Sequence, residues 1–207
     1  ANVFNQLEVQ MLRKFSCIEA CSDCCIYREY YPSLEYGKTG VLILPKERSK
    51  IKDQIKITGI EAKILPRLGI GKNRKGDGPK RILAYQMMGK NADGNLCPFL
   101  EIDNPQKSPH GGFKCKIYEK RPLACHAYPV LQANDKTVEL DSKCQFYQKF
   151  CSPYDRDTLR EEIEALTKIK AEFFVDEKIE VWRYATAVGD EKIKHKLLPE
   201  GWVLQYM

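Results

Sequence analysis

The chain has 207 residues, 34 Lys and Arg against 28 Asp and Glu, a formal net charge of +6 and 43% hydrophobic content. That length buries a core without disulfide staples, and the mild positive charge permits an acidic partner without demanding one. No run approaches eighteen uncharged apolar residues, and Ala1 to Glu8 carries no basic region ahead of an apolar one. Neither a spanning helix nor a secretory signal is expected, and the reading is a cytoplasmic protein with no membrane association.

Phe4, Leu7, Met11, Leu12 and Phe15 recur at helical spacing, so a short amphipathic helix is expected to lead into the first cysteines. Val41 to Leu44, between Gly40 and Pro45, reads as a buried strand. A helix with Ile51 and Ile55 on one face follows and ends near Gly59. From Gly69 to Lys80 glycines alternate with basic residues, which predicts a loop. Arg81 to Met88 and Leu96 to Ile102 read as two strands of a hairpin around the turn Asn91 to Asn95, with Pro98 favouring an edge. After Cys151, Thr158 and Glu161 have capping-box spacing, and Leu159, Ile163, Leu166, Ile169 and Phe173 form a helical stripe. The expected class is α+β: a small cysteine-rich sheet region flanked by helices, with a C-terminal helical tail. Residues 1–151 are expected to form one unit and 152–207 a helical extension packed on it.

Nine cysteines carry the chemistry, and in a reducing compartment they are expected as thiolates rather than disulfides. They fall into two blocks. The first is Cys17, Cys21, Cys24 and Cys25; the second is Cys97, Cys115, Cys125 and Cys144, with Cys151 trailing. Short spacing lets one loop turn several thiolates toward a point, and distant cysteines supply the remaining ligands of a metal centre. Cys24 and Cys25 are adjacent, and in an extended segment neighbours face opposite ways, so they serve different centres or one of them packs as a small apolar side chain. A centre that joins the two blocks, requiring Cys21 and Cys125 alike, is expected on the same ground.

Cys17-x₃-Cys-x₂-Cys-Cys25, Leu96-Cys-Pro-Phe-Leu100 and Cys115-x-Ile-Tyr-x-x-Arg-Pro-x-x-Cys125 together resemble the cysteine-cluster family of zinc- or iron-chelating domain proteins, the CxxCxxCC type. The resemblance runs from Cys17 to Cys144 and implies a ligand set of Cys17, Cys21, Cys24, Cys25, Cys97, Cys115, Cys125 and Cys144, with Cys151 outside it. Many members have two residues where this chain has three between Cys17 and Cys21, so Cys17 carries over less directly. One branch of the family is associated with methylation of flagellin lysines. Within the phrase, Pro122 restricts Arg121 to extended backbone, so Arg121 is either a cofactor-binding donor to the sulfurs or to a carboxylate, or a surface salt-bridge residue.

The metal reading favours an iron–sulfur cluster of the 4Fe-4S kind, with zinc as the alternative. Zinc sites come as paired C-x₂-C knuckles, and only Cys21 to Cys24 has that spacing. Cys17-x₃-Cys21-x₂-Cys24 also matches radical S-adenosylmethionine enzymes, but Asp23 stands where those carry an aromatic residue. His126, beside Cys125, is expected as a hydrogen-bonding neighbour of the ligands, and Tyr118 as core packing. No Ser/His/Asp arrangement, paired catalytic carboxylates, P-loop or dinucleotide fingerprint points to a conventional enzyme. The basic loop over 69–81, with Lys72, Arg74, Lys75, Lys80 and Arg81, is either a solvated segment or a surface for nucleic acid or a protein partner. Three functions thus remain: an iron–sulfur protein, a structural zinc protein engaging nucleic acid or protein, and an S-adenosylmethionine-dependent enzyme.

Overall fold

A computed structural model describes residues 15–26, 41–71, 79–88, 96–149, 156–173, 181–184 and 202–205. A helical turn α1 (Asp23–Ile26) carries the last cysteines of the first block. Strand β1 (Val41–Ile43) follows, and a 3₁₀ turn over Pro45–Glu47 leads into helix α2 (Arg48–Thr58). Pro45 has its φ preset for that turn, and Gly59 ends α2 in left-handed backbone at φ 65°, where a side chain is disfavoured. Ile51 and Gln54 are the buried face of α2.

The main sheet also holds β2 (Ile64–Ile70) and β3 (Arg81–Met87), with β8 (Val181–Tyr184) and β9 (Trp202–Gln205) beyond them. Its order is β1-β3-β2-β8-β9, every neighbouring pair antiparallel. The Arg81–Met87 strand is therefore as expected, but its partners are not. Val41 and Ile64 both lie opposite Met87, so β3 sits between β1 and β2 and cannot pair with the segment after 96. That segment instead makes the two-residue strand β4 (Leu100–Glu101), paired with β5 (Lys114–Cys115), and Pro98 falls in a turn. β2 was not expected because Pro66 interrupts it. The proline is tolerated beside a register shift between Pro66 and Leu68, on a stretch where the ladder to β8 has not yet begun.

Between the sheets lie a 3₁₀ turn over Tyr118–Lys120, helix α3 (Leu123–Ala127), the hairpin of β6 (Val130–Ala133) and β7 (Val138–Leu140), and helix α4 (Gln145–Lys149). Helix α5 (Arg160–Phe173) is the expected C-terminal helix and packs on α3. β8 and β9 add strand to a C-terminal stretch expected to be helical throughout. The Phe4-to-Met11 helix, the turn 91–95, Cys151 and the loop residues 72–78 lie outside the described residues. Among those described, no helix is long and apolar enough to cross a membrane.

Among the described residues, two apolar clusters organise the fold. The larger joins Val41, Ile43, Leu44, Ile51, Met87, Phe99, Ile117, Ala124, Ala127, Ala165 and Ile169, drawing together β1, α2, α3 and α5. Ile43 and Phe99 are almost completely sequestered, and each such side chain stabilises by about 1.5–3 kcal/mol. The smaller joins Val130, Leu140 and Leu159, with Phe15 and Phe146 packed edge-on at 4.9 Å between ring centres.

Candidate metal centre

The first cysteine block is held by backbone hydrogen bonds to the loop before β5. Cys17 N–H donates to His110 O at 2.6 Å, and Ala20 N–H donates to Gly111 O at 2.9 Å. Cys21 N–H closes a turn on Ile18 O at 2.9 Å, with Ala20 at φ 58°. The two segments approach so closely that a Cβ on Gly112 would stand 2.4 Å from Cys21 O. Ser22 is buried, and its hydroxyl accepts from Phe113 N–H at 2.9 Å. The block then hands over to the second: Cys97 N–H donates to Cys25 O at 2.7 Å.

The second block is set into the larger core, against which Cys97, Cys115 and Cys125 pack. Cys115 N–H donates to the Ser108 hydroxyl at 2.9 Å, which in turn donates to Phe113 O at 2.8 Å. Arg121 and Pro122 are both extended, Arg121 at φ −62° and ψ 155°, as the following proline requires. Glu47 fixes the start of α3, which carries Cys125. One of its carboxylate oxygens accepts from Leu123 N–H at 2.8 Å and the other from Leu44 N–H at 2.9 Å.

Cys17, Cys21, Cys24, Cys25, Cys97, Cys115, Cys125 and Cys144 all line one cavity of about 660 Å³. None of the eight is in a disulfide. Their mutual influences fall into two groups. Cys17 is hydrogen-bonded to Cys21 and feels Cys24 and Cys144, while Cys144 also feels Cys24. Cys25 feels Cys97 and Cys125, and Cys115 feels Cys125. The groups meet at Cys24 and Cys25, whose Sγ atoms are 3.9 Å apart. The sequence reading placed these neighbours on opposite faces of an extended segment; α1 is a helical turn, so their side chains diverge by about 100° rather than 180°.

Burial raises the Cys17, Cys21 and Cys144 thiols above their ordinary range, and neighbouring sulfur charge adds to it. Cys144 is partly offset by donors from Tyr147, Phe146 and Tyr128. Cys25 is raised chiefly by its hydrogen bond with Cys24, then by burial. Cys115 is pushed up to about 11 by burial. Cys17, Cys21, Cys25, Cys115 and Cys144 are thus held protonated in the absence of a cation, and a bound metal would displace those protons. Among the described residues, no three His, Cys, Asp or Glu side chains already stand in the tight geometry of a single-ion site.

A polar wall faces the sulfurs. The Tyr118 ring stacks with His110 at 5.2 Å and 10°, and the Arg121 guanidinium lies 3.8 Å from the Tyr118 ring centre. All three line the cavity, as does His126. Burial, then the Arg121 charge, lowers His110 to about 4 and also lowers His126, which is hydrogen-bonded to the Arg121 backbone. Sequence reasoning missed Ser22, Glu47, Ser108, His110 and Gly112. Ser108-Pro-His-Gly-Gly112 was their one visible signal, a dense turn sequence between two cysteines.

The family model described as "Putative zinc- or iron-chelating domain" (CxxCxxCC) matches residues 16–151, about two-thirds of the chain. The chain belongs to the CxxCxxCC family. Membership supports a cysteine domain that chelates zinc or iron, which is the chemistry of the sulfur-lined cavity. No curated protein and no solved structure matches this CxxCxxCC protein.

Proposed function

We propose that this CxxCxxCC protein is an iron–sulfur protein that holds its metal through two tetrathiolate sets. Cys17, Cys21, Cys24 and Cys144 form one; Cys25, Cys97, Cys115 and Cys125 form the other. The observation that carries the reading is the convergence of eight cysteines, none in a disulfide, on one cavity, divided between the adjacent Cys24 and Cys25. A donor set made only of thiolates suits iron–sulfur clusters and zinc alike. Zinc gathers four sulfurs about 2.3 Å from one point, and among the described residues no three ligating side chains stand that close together. Sequence agrees, since only Cys21 to Cys24 has knuckle spacing.

When bound, such clusters supply reversible one-electron chemistry. Around them, Arg121 would set a fixed positive charge against the anionic sulfurs, and the Ser22 and Ser108 hydrogen bonds would hold the ligand loops in place. Each set takes cysteines from both blocks, so the metal would also tie residues about a hundred positions apart.

Purification without oxygen, followed by iron, acid-labile sulfide and zinc analysis and an absorption spectrum, tests the reading. Brown protein with iron and sulfide is expected. Cys21→Ser and Cys125→Ser should each lose about half of the metal, and the double variant nearly all of it. Colourless protein with stoichiometric zinc would replace iron by zinc. Complete loss in either single variant would show one shared centre instead of two.

A further inference from the structure

The sulfurs occupy only part of the cavity wall. Its volume of about 660 Å³ lies in the range of small-molecule sites, and Val41, Met87 and Phe99 give it an apolar side. Opposite the chemistry of that side stands Arg121. Its guanidinium makes no ion pair among the described residues, and its Nε is buried without a hydrogen-bond partner. Its guanidinium carbon lies 3.8 Å from the centre of the Tyr118 ring. His110, stacked on the same tyrosine, has a buried Nδ1 that also lacks a partner. Buried donors are normally satisfied, and an unpaired guanidinium presents a planar fork suited to a carboxylate.

We propose that the cavity binds a small organic carboxylate, its anion on Arg121 and His110 and its apolar body against Val41, Met87 and Phe99. An inorganic anion would satisfy the donors and leave the apolar wall uncovered. The inference goes beyond metal binding and holds whichever metal the cysteines carry.

The test is calorimetric titration of the metal-loaded protein, purified without oxygen, with acetate, benzoate and glutarate. Benzamide and inorganic phosphate at matched ionic strength are the comparisons. At least one carboxylate should bind saturably, benzoate more tightly than benzamide, and Arg121→Gln, compared at equal metal loading, should weaken binding by about tenfold or more. Equal binding of benzoate and benzamide, saturable binding of phosphate alone, or no saturable carboxylate binding would overturn the proposal. If Arg121→Gln also loses metal, His110→Phe decides: weaker carboxylate binding with metal retained supports the site, and unchanged affinity overturns it. Carboxylate binding by protein that carries neither iron nor zinc would leave this site standing while the metal reading failed.

Discussion

The two halves of the sulfur-lined cavity are built by different physics. The half around Cys97, Cys115 and Cys125 rests on the larger apolar cluster and is anchored by Glu47, so its geometry comes with the fold. The half around Cys17, Cys21 and Cys24 rests on a loop docked against another loop, through two backbone hydrogen bonds, one serine and a glycine contact. A site founded on a core is preorganised, whereas one founded on loop-to-loop hydrogen bonds opens locally at far lower cost. The same chain thus offers one rigid and one yielding set of thiols.

The sharpest way to break that contrast is Gly112→Ala. Its new Cβ meets backbone oxygen, which cannot swing aside, and the overpacking should cost about 3 kcal/mol. Chemical denaturation and metal analysis should show lower stability and loss of the metal share assigned to the loop half. Unchanged metal would mean that the docking is not what shapes Cys21. Glu47→Ala attacks the other half by stripping partners from Leu44 N–H and Leu123 N–H, at about 1–2 kcal/mol. Hydrogen exchange should rise around α3 and leave the 17–22 loop as it was.

Acid should separate the halves more gently. His110 is held neutral, its pKa lowered from 6.5 to about 4, so the unfolded chain takes a proton that the folded chain refuses. Stability should therefore fall as pH drops from about 6.5 toward 4, and His110→Phe should flatten that part of the decline. Because His110 O accepts from Cys17 N–H, exchange at Cys17 should rise first. Lys46→Ala gives the smallest effect. Its ion pair with Glu172 is solvent-exposed, and removal should move the unfolding free energy by less than about 1 kcal/mol without altering either half.

What the sequence revealed follows the same division. Helical stripes and the Gly59 cap identified α2 and α5, and Val41 to Leu44 read directly as strand because local pattern decides such elements. β2 escaped because Pro66 argues against a strand unless the bulge beside it is known. The false hairpin over 81–102 arose because adjacency in sequence stood in for pairing, while β3 had two better partners in β1 and β2. The cysteines announced themselves by spacing, yet their sorting into sets depended on whether residues 23–26 were extended or helical. Tyr118 and Arg121 stand three apart across the 3₁₀ turn, but His110 reaches Tyr118 only through tertiary contact, and no spacing rule reaches across that loop.

The meeting of Cys24 and Cys25 also bears on time. During synthesis, which proceeds from the amino terminus, both emerge well before the last members of the sets proposed for them. Cys125 follows Cys25 by about a hundred residues, and Cys144 follows Cys24 by still more. The nascent chain would therefore expose four closely spaced thiols to oxidants and stray ions long before their proper partners appear. Correct loading then becomes a matter of delivery after translation, and the hazard of premature metal capture falls on the loop half, whose scaffold around Ser108 and Gly112 is itself still unmade.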